Sequence, residues 1–232
     1  MSNIAAIADP IHLKSLGWSV LIAFGSTVIS LIIAYPLAYI LSKRTSGKNT
    51  LIVMMFVLPM WINFMLRVLA LQMLFSNNGI INAVLDFFGL PLQHLMYTKA
   101  AILIGTTYDY LPFMILPLYT AMCRIDRGLV EAASDLGAGK LQIFRKVILP
   151  LSLPGIMSGI VMVFIPSISE FAIADILGGS KILLIGNVIE QEFSITNNWN
   201  LGSGLSVVLM LFILVSMAIM NKFDTGEEGL ML

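Results

Sequence analysis

Three carboxylate side chains lie in stretches of sequence that are otherwise almost entirely apolar. They are Asp109, which stands between Tyr108 and Tyr110, and Glu170 and Asp175, near the end of a later apolar stretch. A charge within a membrane-spanning segment is costly, and such residues line a route for polar solutes or pair with another charge. We therefore interpret these residues as candidate contacts of a solute that crosses the membrane.

Each carboxylate also has a simpler interpretation. Asp109 can pair with Arg67, the one charged residue of the preceding apolar stretch. Asp175 stands near the end of its stretch and can be solvated among lipid headgroups, and Glu170 can be solvated in the same way if the helix ends early. Tyrosine and tryptophan side chains commonly pack or form interfacial belts in membrane proteins.

The sequence contains no pattern typical of a catalytic, metal or nucleotide site. His12 and His94 are far apart, and neither has the spacing of metal ligands. Gly137 and Gly139 do not belong to a phosphate-binding loop, which requires Gly-Lys-Ser/Thr after a strand. We therefore predict that this chain has no catalytic residues, binds no metal and is not an enzyme.

Composition identifies an integral membrane protein. Of the 232 residues, 58% are hydrophobic and only 11% are charged, whereas soluble domains contain about 25% charged residues. The formal net charge is zero, so nothing indicates binding to nucleic acid.

The most polar internal segment runs from Arg124 to Pro150. Its five basic residues predict that it faces the cytoplasm; they are Arg124, Arg127, Lys140, Arg145 and Lys146. We predict Asp126 as the N-cap of a short helix that starts near Leu129, and Gly137 as the left-handed residue that ends it. A second helix is predicted over about 140–148, and Pro150 is predicted to prevent any helix from running through.

This segment resembles the EAA loop of bacterial ABC importer permeases, in which the position of Val147 is usually isoleucine. The resemblance rests on Glu131-Ala132-Ala133, Gly137 and Val147-Ile148-Leu149-Pro150 at their spacing in this chain. It implies a type I ABC importer permease fold, in which this loop is a coupling helix that docks on a cytoplasmic ATPase. On this resemblance, the candidate ATPase-coupling residues are Glu131, Ala132, Ala133, Gly137, Leu149 and Pro150. The alternative is an amphipathic helix at the membrane surface.

Apolar stretches of the length that a bilayer requires predict an all-α bundle of about five transmembrane helices. The predicted spans cover about 17–41, 50–75, 99–122, 151–175 and 201–221, with the coupling loop at 124–150. Residues 1–16 are predicted as an outer segment, 17–221 as the permease domain and 222–232 as a cytoplasmic tail. Lys43, Arg44 and Lys48 fall on the cytoplasmic side, whereas Lys99 and Lys181 are exceptions on the outer side.

Related permeases commonly have one more helix before these five. The stretch from Asp9 to Leu41 resembles the family from just before its second helix. The resemblance therefore implies that the usual first helix is missing, either because the subunit is shortened or because the start is mis-assigned.

Further segments resemble spermidine/putrescine permease subunits. They are residues 77–82, 110–119, 177–179 and 185–189. The resemblance implies a multi-pass protein of the bacterial cytoplasmic (inner) membrane that imports polyamines. Asp109 and Glu170 would then accept ammonium groups, and Asp175 would attract cations at the outer mouth. The aromatic faces of Trp61, Tyr108 and Tyr110 would add cation–π contacts.

The resemblance also implies the partners of the chain. They are an ATPase dimer, which binds the ATP and Mg, a second related permease chain, and a solute-binding protein that docks on the outer loops 77–98 and 176–200. This chain itself would bind no cofactor. Two alternatives remain, namely an importer of another solute such as sulfate, iron or thiamine, and a stand-alone channel without an ATPase.

Overall fold

The structure, a computed structural model, describes residues 9–43, 48–179 and 181–224. Within these ranges all regular structure is helical. The helices are α1 (Pro10–Lys43), α2 (Lys48–Val57), α3 (Phe64–Phe75), α4 (Ile80–Phe87), α5 (Lys99–Cys123), α6 (Arg127–Asp135), α7 (Lys140–Ser169), α8 (Ala172–Gly178), α9 (Ile185–Ser194) and α10 (Trp199–Asp224). Parts of the predicted outer segment, of the polar loop with Arg44 and of the predicted tail lie outside the described residues.

Five helical segments are long and apolar enough to cross a membrane, which confirms the predicted all-α bundle of about five transmembrane helices. They are α1, the interrupted segment Phe64–Phe87 (α3 and α4), α5, α7 and α10 as far as Met220.

The centre of the bundle consists of α1, α5 and α7, which pack together along their lengths. Small residues allow this close approach. Ala34 and Ala38 of α1 are fully buried, and a Cβ atom at Gly155 of α7 would lie 2.8 Å from the carbonyl oxygen of Pro117 in α5.

Hydrogen bonds and ring contacts define the two ends of the bundle. At one end, the amide of Ile185 donates to Ser19 Oγ (2.8 Å) and the amide of Tyr97 donates to the Leu177 carbonyl (2.8 Å). At the other end, the rings of Tyr39 and Phe144 have centroids 6.2 Å apart. The second end carries the basic segment 124–150 and is therefore the cytoplasmic end by the positive-inside rule; the first is the outer end.

The predicted span 50–75 is not one continuous helix. The helix α2 stops at Val57, a 3₁₀ turn covers Leu58–Trp61, and Ile62 is extended with ψ of 140°. Pro59 lies in this turn and has no N–H to donate to a preceding carbonyl. The helix resumes as α3 because the side chain of Asn63 accepts a hydrogen bond from the amide of Met65 at 2.9 Å.

The prediction that no helix runs through Pro150 is wrong. Lys140–Ser169 is one helix, with a π-helical segment at Phe144–Ile148 in which the amide of Leu149 donates to the Phe144 carbonyl. This i→i+5 register differs from that of an α-helix. The change of register just before Pro150 lets the helix continue, although proline supplies no amide donor.

The predicted span 151–175 also has different bounds in the structure. Its helix begins earlier, at Lys140, and ends at Ser169. Glu170 is extended, with ψ of 125°, and the short helix α8 begins at Ala172. Glu170 therefore lies at a break between two helices, and Asp175 lies on the second of them.

Candidate functional site

The segment that contains Glu131 is a short helix followed by a tight turn, as predicted. The carboxylate of Asp126 accepts a hydrogen bond from the amide of Gly128 at 2.9 Å, which confirms Asp126 as the N-cap. The helix begins at Arg127 rather than near Leu129. Gly137 has φ of +80°, which confirms it as the left-handed residue after the helix.

Helix α6 lies on the surface of the cytoplasmic end, and none of its residues is buried. Three leucines of the segment are exposed to 50% (Leu129), 89% (Leu136) and 69% (Leu141). Glu131 and Ala132 are also exposed, and Ala133 is half-buried. Exposed apolar side chains on an otherwise polar surface are typical of contact sites for proteins or membranes.

Few contacts attach α6 to the membrane-spanning helices. A guanidinium nitrogen of Arg127 donates to the Lys43 carbonyl at 3.3 Å. A cavity of 320 Å³ lies beside α6, lined by residues of α1, α5, α6 and α7 that include Tyr39, Met122 and Ile148.

Leu149 and Pro150 lie apart from Glu131, on the next helix. Both belong to the continuous helix α7, where Leu149 is half-buried and Pro150 is exposed. The two halves of the EAA-like pattern therefore stand on α6 and α7, and the turn at Gly137 connects them.

Asp109 pairs with Arg67 inside the bundle. A guanidinium nitrogen lies 2.9 Å from the carboxylate Oδ1, and the two side chains are 11% and 5% exposed, respectively. Arg67 belongs to α3 and Asp109 to α5, so this ion pair joins two helices. This contact confirms the alternative that each charge neutralises the other, and the contact of Asp109 with a solute stays a prediction.

Glu170 is held by three hydrogen bonds at the break between α7 and α8. The hydroxyl of Tyr110 donates to Oε2 at 2.7 Å. The amides of Ala172 and Ile173 donate to Oε1 at 2.9 Å and 3.2 Å. Glu170 is only 8% exposed, so this carboxylate caps the first turn of α8 and ties it to α5.

Asn187 is a further buried polar residue at this break, and it is not among the site residues predicted from the sequence. Its side-chain amide donates to the Phe171 carbonyl at 2.9 Å, and its side-chain oxygen accepts from the amide of Leu184 at 3.3 Å. It is 5% exposed. The sequence does contain a signal for this residue, because an asparagine within the apolar run 182–189 needs hydrogen-bond partners when it is buried.

The remaining predicted pathway residues do not join this cluster. Trp61 is 85% exposed and Tyr108 is 44% exposed. Asp175 is exposed on α8. The structure therefore brings together Arg67, Asp109, Tyr110 and Glu170, because Asp109 and Tyr110 are adjacent in α5.

The arrangement in the bundle limits what these carboxylates can do. Asp109 already faces a guanidinium, and Glu170 already accepts two amide donors and one hydroxyl donor. An ammonium group of a solute would have to compete with these donors. In this conformation the cluster fixes α3, α5 and α8 relative to one another.

Apolar spanning helices that bury a few polar side chains, with a basic helix–turn–helix at the cytoplasmic end, are typical of membrane transport permeases. Residues 18–226 match the family model described as the binding-protein-dependent transport system inner membrane component, and the chain belongs to this family. It is therefore a multi-pass protein of the inner membrane and a permease subunit of an ABC importer.

Curated relatives resemble the chain over most of its length. It is 40% identical over 222 residues to the spermidine/putrescine transport system permease protein PotB of Haemophilus influenzae, covering 93% of this chain and 77% of that protein. It is 36% identical over 214 residues to PotB of Escherichia coli, covering 91% and 78%. The inner membrane ABC transporter permease protein YdcU of E. coli is 28% identical over 241 residues, covering 98% and 77%.

Solved structures show the same fold at low sequence identity. A chain of a bacterial alginate ABC transporter, crystallised with an alginate-bound periplasmic protein, superimposes with a TM-score of 0.76 at 14% identity, covering 96% of this chain and 81% of that one. A chain of the inward-facing MetNI methionine ABC transporter superimposes with a TM-score of 0.66 at 19% identity, covering 91% and 94%.

Proposed function

We propose that this permease subunit carries polyamines such as spermidine and putrescine across the inner membrane. The observation that carries the proposal is the identity of 36–40% with proteins named as spermidine/putrescine permeases, which extends over more than nine-tenths of the chain. The residue segments 77–82, 110–119 and 185–189 support the same solute. A polyamine is a flexible chain of ammonium and methylene groups, and carboxylate and aromatic side chains suit both parts.

We further propose that α6 and the turn at Gly137 couple the bundle to an ATPase subunit. Support comes from the exposed leucines of this segment and from its position at the cytoplasmic end. ATP and Mg bind to the ATPase subunits, and their closure moves α6. Because α6 has few contacts with its own bundle, it can shift together with a docked ATPase.

Two more partners complete the proposed importer. A second, related permease chain covers part of the apolar surface that α10 leaves exposed, and the two chains enclose the pathway. An extracytoplasmic solute-binding protein delivers the solute to the outer loops 77–98 and 176–200. Trp61, Tyr108 and Asp175 are exposed in the isolated chain, so a second permease chain can bring them to the pathway.

Uptake of labelled spermidine and putrescine tests the proposed solute. Cells without this gene should lose uptake, and the gene supplied on a plasmid should restore it. Sulfate and thiamine uptake, measured in the same cells, are the controls and should not change. Unchanged polyamine uptake together with reduced uptake of one of the control solutes would assign the importer to that solute.

Affinity purification tests the presence of an ATPase partner. A tagged form of this chain should recover an ATPase subunit and a second permease chain in stoichiometric amounts. A stand-alone channel would be purified without an ATPase, so this result would reject the coupling proposal whatever the solute is.

A further inference from the structure

Three lysines at the outer end have no role in the proposed import of cations. Lys14 belongs to α1, Lys99 to α5 and Lys181 to the loop between α8 and α9, yet all three line one groove. Positive charge at the outer mouth repels a cationic solute. Lysine and arginine are also depleted on this side of inner-membrane proteins. The groove therefore suits a ligand other than the transported solute.

The groove combines positive charge with an apolar wall. Besides the lysines, its lining includes Trp18, Ile182 and Leu183. Its volume of 380 Å³ falls within the range of about 300–1,000 Å³ found for small-molecule sites. An amphipathic ligand with an anionic group and a hydrocarbon part would match both kinds of surface.

The ion pair that the structure describes joins Arg67 and Asp109, and Lys14, Lys99 and Lys181 take no part in it. Lys99 Nζ lies 3.2 Å from the centroid of the Trp18 ring, and Lys181 Nζ lies 5.3 Å from that of Tyr97. Aromatic faces attract an ammonium group but do not neutralise it. Lys99 is also the first residue of α5, where the helix dipole is positive, so an anion here would be stabilised.

The groove lies near the outer end of α1, a helix that is long and apolar enough to cross a membrane. Trp18 is close to the start of the predicted first span at residue 17, and tryptophan side chains favour the interface between headgroups and acyl chains. Lysines at the same end place their ammonium groups towards the headgroups. The positive part of the groove therefore lies at headgroup level, beside an apolar wall at the level of the acyl chains.

We propose that this groove binds an anionic phospholipid of the outer leaflet. The phosphate lies among Lys14, Lys99 and Lys181, and one acyl chain runs along Trp18 and Leu183. The positive charges next to an apolar wall favour a lipid, because its phosphate matches the charges and its acyl chain matches the wall. A bound lipid would hold α1, α5 and the loop before α9 together at the outer end. The exclusion of the transported solute as the ligand rests on the proposed import of polyamines, whereas the charge and the apolar wall of the groove do not.

Native mass spectrometry of the full chain, with its co-purifying subunits in detergent, tests this assignment. The complex is titrated with dioctanoyl phosphatidylglycerol, with dioctanoyl phosphatidylcholine, or with inorganic phosphate. We expect a tight adduct with phosphatidylglycerol alone. Each lysine near an anionic lipid is worth about 1 kcal/mol, so Lys14→Gln with Lys181→Gln should weaken that adduct roughly thirtyfold. The matched control is Lys140→Gln with Lys146→Gln, at the cytoplasmic end, which should leave it unchanged.

Three results would overturn the proposal. The first is that phosphatidylglycerol and phosphatidylcholine bind with equal affinity. The second is that inorganic phosphate saturates the site and blocks the lipid adduct. The third is that the Lys14/Lys181 variant binds phosphatidylglycerol as tightly as the wild type does. If that variant keeps its lipid adduct but loses capture of the solute-binding protein, the lysines serve a protein contact instead. Lys14 and Lys181 are exposed, so the variant should fold, and recovery of its partner subunits provides the check.

Discussion

At the scale of single residues, the structure gives Asp109 and Glu170 internal partners. Asp109 faces Arg67, and Glu170 caps α8 and receives the hydroxyl of Tyr110. Both carboxylates were recognisable in the sequence because charge is rare within apolar stretches. Whether Asp109 pairs with another charge or contacts a solute depends on Arg67, which is distant in the sequence. The packing of α3 against α5 brings Arg67 to Asp109.

The ion pair of Arg67 and Asp109 gives one prediction at this scale. Asp109→Asn or Arg67→Gln alone should destabilise the protein by about 3–5 kcal/mol, because each leaves an uncompensated buried charge. The double variant should recover most of the loss, and thermal unfolding in detergent measures both effects. If the double variant is as unstable as the sum of the two single variants, the pair is not a coupled unit. Polyamine uptake by a stable double variant then tests whether Asp109 also contacts the solute.

Gly137 gives a second prediction at this scale. Gly137→Ala should strain the turn by about 1–2 kcal/mol, the cost of a left-handed conformation for a residue with a Cβ atom. No atom lies within 4 Å of the added Cβ, so the effect is confined to the backbone. Solute-stimulated ATPase activity of the reconstituted importer should fall while the amount of assembled protein stays normal.

Gly139→Ala is the matched control for this turn. Gly139 has φ of −68° and equally open surroundings, so alanine fits there without strain. Equal ATPase activity in the two variants would show that the left-handed geometry of Gly137 does not matter for coupling.

At the scale of helices, small residues determine how closely α7 approaches α5. A Cβ atom at Gly155 would lie 2.5 Å from Ala121 Cβ and 2.8 Å from the Pro117 carbonyl oxygen. A backbone carbonyl cannot move away as a flexible side chain can. Gly159 is different, because a Cβ atom there would meet the terminal part of Met114.

Gly155→Ala should therefore destabilise the bundle by about 1–3 kcal/mol, the usual cost of overpacking. Gly17→Ala is the matched control, because it lies in α1 with no atom within 4 Å of the added Cβ. Alanine should there be neutral or stabilising by up to about 1 kcal/mol. Melting temperatures of the two variants in the same detergent measure the difference, and equal values would contradict the close packing described here.

Sequence patterns predicted helices better than they predicted where helices break. Apolar length gave the number of candidate spans, and Asp126 and Gly137 marked the ends of α6 because caps depend on local chemistry. Proline was ambiguous, since Pro59 lies at a break whereas α7 runs through Pro150. A π-helical segment precedes Pro150, and its residue Phe144 packs against Tyr35 and Tyr39. The break at Glu170 was not predicted from the sequence, because the hydrogen bonds that this carboxylate accepts form only in the folded chain.

At the scale of the whole molecule, two of the places at which the isolated chain exposes apolar surface differ in their surroundings. One is the lipid-facing or subunit-facing side, which includes Trp61 and most of α10. The other is the cytoplasmic end, where Leu129, Leu136 and Leu141 stand among basic residues. Of these two, the second would be covered by water rather than by lipid, so it favours contact with a soluble partner.

Leu136→Asp should therefore weaken binding of the ATPase without unfolding the chain. Leu136 is 89% exposed, and a residue central to an interface contributes about 2 kcal/mol or more, or roughly thirtyfold in affinity. Leu92→Asp, at a 55% exposed position of the outer loop, is the matched control. Quantitative co-purification measures both, and equal ATPase recovery would place the ATPase contact elsewhere.

The length of α7, which continues through Pro150, has a mechanical consequence. Its 30 residues, at about 1.5 Å each, make a lever arm of about 45 Å. Pivoting such an arm by about 10° displaces its far tip by about 8 Å. A small rotation at the cytoplasmic end of α7 is thus amplified at Ser169, beside the Glu170 cap.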